Sequence, residues 1–184
     1  MYIFYHKNNV GKEIDSVYYV KYSGTREESV KAEYINPFIA CTINVFETMT
    51  GLKPVKGDLY IKSDENLHYD VSAVIGIVGD VVGYVSVSMP EALATKVASI
   101  FLMEEKEEVD TDVGDAIGEL INMIAGSTKK MFTDKGHRFS ISVPNVVVGK
   151  GHTIQRPAHI ICVGVKFKLE NTTFVIEIAL KDKN

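Results

Sequence analysis

The chain has 184 residues, 46% of them hydrophobic and 24% charged, with a net charge of −4 and a pI near 5.7. That length suits one globular domain able to bury a sizeable core. The acidic balance, with no dense Lys/Arg cluster interleaved with aromatics, argues against a nucleic-acid partner.

The opening MYIFYHKNN has no basic region followed by a sustained apolar run. No later stretch approaches the ~20 apolar residues that a membrane span needs, so a cytoplasmic protein is expected. Residues 1–29 differ from the rest: they are rich in Tyr, Lys and Asn and hold two short β-like runs, Tyr2–Tyr5 and Val17–Tyr22. Ser23–Thr25 followed by Arg26–Glu28 reads as a linker. The segment is treated as an N-terminal extension of open role, its form that of a hairpin added to a sheet edge, ahead of a single domain at 30–184.

Asn36-Pro37 predicts a helix start, Asn as N-cap and Pro at the first helical position, with Gly51 and Pro54 closing the helix after Thr50. The period then changes to that of strands: Leu59–Ile61, Tyr69–Val78 and Val81–Ser88, with a turn at Gly79-Asp80. Pro90 heads an amphipathic helix over Glu91–Met103. An acidic connector, Glu104–Asp110, lacks the spacing and turn glycine of a cation loop and reads as solvated. Asp110 and Asp112 suit the positive end of the next helix. Beyond that helix, Phe139–Val148, Ile160–Leu169 and Thr173–Leu180 read as three more strands, the last two joined at Glu170-Asn171.

The fold class expected is α+β: an antiparallel or mixed sheet of about six strands carrying long helices, in the order α-βββ-αα-βββ. Cys41 and Cys162 lack CxxC spacing and read as buried reduced thiols. The five histidines never fall at H-x-x-x-H or H-x-H, so no metal site is expected. There is also no G-x-S-x-G elbow and no phosphate-binding loop; Gly149-Lys150-Gly151 lacks the flanking residues of one.

Most informative is Asp110–Phe132, DTDVGDAIGELINMIAGSTKKMF. At 100° per residue, Val113, Ile117, Leu120, Ile121, Ile124 and Met131 fall on one side and Asp115, Glu119, Asn122 and Gly126 on the other. Steps of four and three residues put the three polar heads in one row. A helical glycine costs about 1 kcal/mol relative to Ala, so Gly126 in that row, and Gly118 beside it, suggest that something must come close to this face.

These residues carry a resemblance. D-x-x-x-E-x-x-N followed by I-A-G, with Asp115, Glu119 and Asn122 at its three polar positions, is similar to the signature of the CheC, CheX and FliY chemotaxis phosphatases. INPFI at Ile35–Ile39 and PNVVVGKGH at Pro144–His152 resemble the CheX branch in particular, and the likeness runs from about Lys31 to the C-terminus. It implies an enzyme without its own nucleophile that speeds loss of the aspartyl phosphate from a CheY-type response regulator. Asn122 would orient the attacking water and Glu119 would meet the regulator's lysine, with Asp115, Gly118 and Gly126 at the partner surface. It further implies no resident cofactor, a Mg²⁺ ion held by the partner, and a homodimer, for which Val146–Val148 would be a natural pairing edge.

Comparing EYINPFIA with ELINMIAG also suggests a weak internal duplication. Glu33 and Asn36 would then be a structural relic, because Pro37 would hold the amide at a helix start. The alternative to catalysis is a module that binds a receiver domain or a motor component without speeding hydrolysis.

Overall fold

The computed structural model describes residues 2–7, 16–21, 27–62, 68–155 and 160–183, with side chains from Val30 onward. At the N-terminus β1 (Tyr2–Lys7), β2 (Ser16–Lys21) and β3 (Glu27–Lys31) form a three-stranded antiparallel sheet of their own. The expected addition of a hairpin to an edge of the larger sheet is therefore corrected. β3 takes in Glu27 and Glu28, assigned above to the connector, while Ser23–Thr25 lies outside the described residues.

β3 passes straight into α1 (Ala32–Thr50), whose last turn closes on Gly51 at φ 69° with its N–H donating to Glu47 O at 3.0 Å. The helix starts earlier than Asn36-Pro37 predicts, and Pro37 lies inside it. An interior proline forfeits one backbone hydrogen bond and crowds the preceding turn. Tertiary packing outweighs that cost: Tyr34 is 3% exposed and stacks on Phe132 at 5.7 Å between centroids, and Ile35 is fully buried. Ordering this extra turn brings both side chains into the core.

The main sheet is antiparallel and has seven strands: β4 (Val55–Ile61), β5 (Tyr69–Gly79), β6 (Val81–Met89), β7 (Phe139–Ile141), β8 (Asn145–His152), β9 (Cys162–Leu169) and β10 (Thr172–Asp182). The single strand expected over Phe139–Val148 is two, because Pro144 has no N–H to give a ladder. Both pieces pair with β5, β7 at Ile77–Gly79 and β8 at Tyr69–Val74, and Ser142 bonds to Gly76 between them.

The order β4-β9-β10-β6-β5-β7, with β8 also on β5, has an internal symmetry. β5–β6 and β9–β10 are hairpins that meet along β6 and β10, and each half lends its first strand to the other, β4 to β9 and β8 to β5. Helix α1 precedes the first half and α3 (Thr111–Asp134) the second, so the weak duplication seen in sequence has a counterpart in the topology.

One face of the sheet alternates into a single core with the helices: Val71, Ala73, Ile75 and Ile77 from β5, with Phe174, Ile176, Ile178 and Leu180 from β10, are its inward registers. From α3, Ile117, Leu120, Ile121 and Ile124 are fully buried, each worth about 1.5–3 kcal/mol against exposure. Met131, placed on that side above, is 38% exposed instead, and Phe132 takes the inward position. α2 (Glu91–Leu102) packs against α3 and β5. On the opposite sheet face Glu177 is 1% exposed, accepts from Tyr60 Oη at 3.0 Å and pairs with Lys62. This ion pair joins the end of β4 to β10, one from each half. Cys41 and Cys162 are both buried, and neither is in a disulfide among the described residues.

Candidate functional site

The acidic connector is organised by its one lysine. Lys106 Nζ lies 2.7 Å from Asp112, 3.1 Å from Glu104 and 3.2 Å from Asp110. Asp112 first, with the other two carboxylates, holds the ammonium well above the usual lysine range. Asp110 is the N-cap of α3, its Oδ1 accepting from Val113 N at 2.8 Å. That bond, helped by Lys106, lowers the Asp110 carboxyl below the ordinary aspartate range.

With its start fixed by the cap and its inner face by the core, α3 turns Asp115, Glu119 and Asn122 outward. Asp115 and Glu119 are exposed and Asn122 is half-buried. Asn122 Nδ2 donates to Glu119 Oε2 at 3.3 Å, so acid and amide form one unit. The pairing uses neither Oε1 of the acid nor Oδ1 of the amide. One turn on, Gly126 is exposed, and a methyl group added there would meet nothing within 4 Å.

Gly118 is different, and its assignment to the partner surface is corrected. It is buried, and a Cβ there would lie 3.2 Å from Val146 Cγ2 and 3.6 Å from Pro144 Cγ. Close packing of α3 under β8 accounts for this glycine. In the other E-x-x-N, Glu33 lies in the first turn of α1 and Asn36 further inside the helix, so the placing of that amide at a helix start is also corrected. Glu33 lies 3.6 Å from Lys31.

Beside the Glu119–Asn122 unit an open groove of about 400 Å³ runs between the end of α2 and the first turns of α3. Phe101, Leu102 and Ala116 give it an apolar floor, and Asp112, Asp115 and Glu119 line it with carboxylates. The sequence offered no signal for it, since α2 and α3 look independent until they are packed. Among the described residues no group of three or more His, Cys, Asp or Glu side chains could hold a metal ion. No helix among them is long and apolar enough to cross a membrane.

The fold and this face define a small α+β domain that offers an acid–amide pair on an open helix, in place of an enclosed cleft. The family model described as "Chemotaxis phosphatase CheX" matches residues 71–168, more than half of the chain, and the chain belongs to that family. It is 29% identical over 120 residues to the CheY-P phosphatase CheX of Thermotoga maritima, covering 65% of this chain and 77% of the relative. Among solved structures, a CheC-like superfamily protein from Shewanella sp. PV-4 superposes with a TM-score of 0.78 at 34% identity, covering 83% of this chain and 99% of that one. CheX in the CheX–CheY–BeF3–Mg complex from Borrelia burgdorferi gives 0.70 at 26% identity, covering 81% and 98%.

Proposed function

We propose that this chain accelerates hydrolysis of the aspartyl phosphate on a CheY-type response regulator, by bringing the Glu119–Asn122 face of α3 to the regulator's phosphorylation site. The observation that carries the reading is the hydrogen-bonded pair itself, outward on a rigid helix in a member of the CheX family. The Borrelia relative solved with CheY, BeF3 and Mg supports the choice of partner.

An aspartyl phosphate is an activated acyl phosphate, and its transfer through a loose transition state asks mainly for positioning. The regulator's own Mg²⁺ supplies charge neutralisation at the phosphoryl oxygens. Asn122 supplies an uncharged group that both donates and accepts: with Nδ2 on Glu119, its Oδ1 accepts from a water and points it at phosphorus. Glu119 Oε1 accepts from the regulator's lysine, a charge-assisted bond that sets the helix in register. Asp115, one turn earlier, adds negative potential for docking, and Gly126 lets the partner's backbone approach α3. The chain acts in the cytoplasm as a homodimer, joined along the outer edge of β8, where Val147 is 40% and Val148 52% exposed.

The test is the decay of a purified phosphorylated receiver domain with trace amounts of this protein. Wild type should speed phosphate loss catalytically, Asn122→Ala should keep the fold and lose the acceleration, and Glu119→Lys should lose binding. Full activity in Asn122→Ala would end the assignment of water positioning, and unchanged decay with wild type would leave only a binding module.

A further inference from the structure

Helix α2 ends on a left-handed residue that carries a side chain. Glu104 N–H donates to Ser99 O at 3.1 Å and Met103 N–H to Ile100 O at 3.3 Å, the paired bonds of a Schellman motif. The residue between helix and exit must then be left-handed, and Met103 sits there at φ 55°, ψ 34°. Glycine suits that position, since an L-residue with a Cβ is disfavoured there by about 1–2 kcal/mol. Met103 is also 95% exposed, so its thioether is not packed against the described residues, and its neighbour Leu102 is 37% exposed. The turn is firmly built: Lys106 N–H donates to Ser99 Oγ at 2.9 Å, so the methionine is held out on a fixed base.

Leu102 belongs to the groove whose other wall is α3, and Glu119 is common to the groove and to the acid–amide pair. Lys106 engages Glu104, Asp110 and Asp112, whereas Asp115 makes no ion pair with any described residue. The groove therefore presents an apolar floor that includes Leu102 and a carboxylate surplus on the side facing Glu119, and the exposed Met103 directly follows Leu102 in the chain.

We propose that Leu102 and Met103 form a docking subsite for the receiver domain, taking an apolar side chain that lies beside a Lys or Arg, and that they set affinity for the regulator without entering the chemistry. The inference rests on the function proposed above for the partner's class. Charge complementarity selects the occupant: an apolar residue alone would leave Asp115 and Glu119 facing a desolvated wall, which buried carboxylates do not tolerate unpaired. Methionine suits such a contact because it adapts to an irregular surface.

The experiment compares wild type with Met103→Gly and Leu102→Gln, using Val55→Thr on the distant β4 edge as control. Binding to a CheY-type receiver domain loaded with BeF3 and Mg²⁺ is measured alongside decay of the phosphorylated domain. Met103→Gly relieves the left-handed strain, so its melting temperature should hold or rise while Kd and KM increase about tenfold and kcat is unchanged. Leu102→Gln should follow in the same direction and Val55→Thr should not. Wild-type Kd and KM in Met103→Gly, with acceleration intact, would overturn the subsite and leave the proposed function standing. Methionine-dependent binding without any accelerated decay would support the subsite and overturn the catalytic reading. No binding of the loaded receiver to wild type would overturn both.

Discussion

Helices α1 and α3 are counterparts in the two halves of the sheet, and their inner faces match closely. Aligning EYINPFIA with ELINMIAG pairs Tyr34 with Leu120 and Ile35 with Ile121, all buried. Their outer faces have diverged. α3 shows a free-standing acid–amide pair followed by Gly126; α1 has its acid beside Lys31, a proline straight after Asn36, and Ala40 where α3 has glycine. Next to that acid, Tyr34 donates to Asp182, which also lies 3.1 Å from Lys31 Nζ. Duplicated packing thus preserves the hydrophobic register, while the solvent side is where one copy departs from the other.

The comparison is broken most directly by paired alanine substitutions. Asn122→Ala should reduce stimulated phosphate loss on the order of 100-fold or more, the scale on which misplaced reactants lose rate, whereas Asn36→Ala should leave it at the wild-type level. Decay of the phosphorylated receiver measures both. Equal losses would show two working faces; no loss in either would show none.

Next in size is the clamp between the halves. Glu177→Ala strips the partner from nearly buried Lys62 and from the Tyr60 hydroxyl. Breaking such a pair from one side costs about 3–5 kcal/mol. Urea denaturation should show that loss, with the activity of the folded fraction unchanged, since α3 lies on the other side of the sheet. Separate melting of the two halves would be the sharper result; a single weakened transition would show that the shared β6–β10 seam keeps them cooperative.

Much of this arrangement was legible because burial imposes period. The core registers of β5, β6, β9 and β10 and of α3 follow from alternation or from the 3.6-residue repeat, and the polar row at Asp115, Glu119 and Asn122 follows from the same repeat. What escaped was set by tertiary contact. Asn36-Pro37 has the local chemistry of a helix start, yet Tyr34 on Phe132 draws the helix further upstream. Gly118 looked like a neighbour of the polar row until β8 was laid over it, and no local pattern reports a strand from another part of the chain. The exchange of β4 and β8 between halves is likewise invisible to windows a dozen residues long.

Gly126 and Gly118 turn that lesson into a smaller test. Gly126→Ala installs the α1 residue in α3 and should stabilise the fold by up to about 1 kcal/mol, with open space for the methyl group. Its stimulation of decay should nevertheless fall, because in the proposed docking the methyl group would stand where the partner's backbone comes near. Gly118→Ala should fall short of that gain, since Val146 must shift to admit it. Thermal melts combined with KM separate the two glycines; a Gly126→Ala protein that is both more stable and fully active would remove Gly126 from the interface.

The smallest effect concerns how the two helices begin. α3 has a side-chain cap in Asp110, while α1 starts at Lys31 with no side-chain cap. The Asp110 carboxyl is held below its ordinary value by Val113 N–H and then by Lys106, so the folded state favours the anion. Its stabilising effect is accordingly complete above the unfolded aspartate value near pH ~4 and is lost as pH falls through the lower folded value. Wild type and Asp110→Ala should therefore differ in melting temperature at neutral pH and converge in acid once the pH has fallen past the lowered folded value, with the difference reduced in high salt only by the share owed to Lys106. A gap that persists undiminished in acid would mean that the substitution acts on packing and not on the charged cap, and the asymmetry between the two helix starts would lose its electrostatic basis.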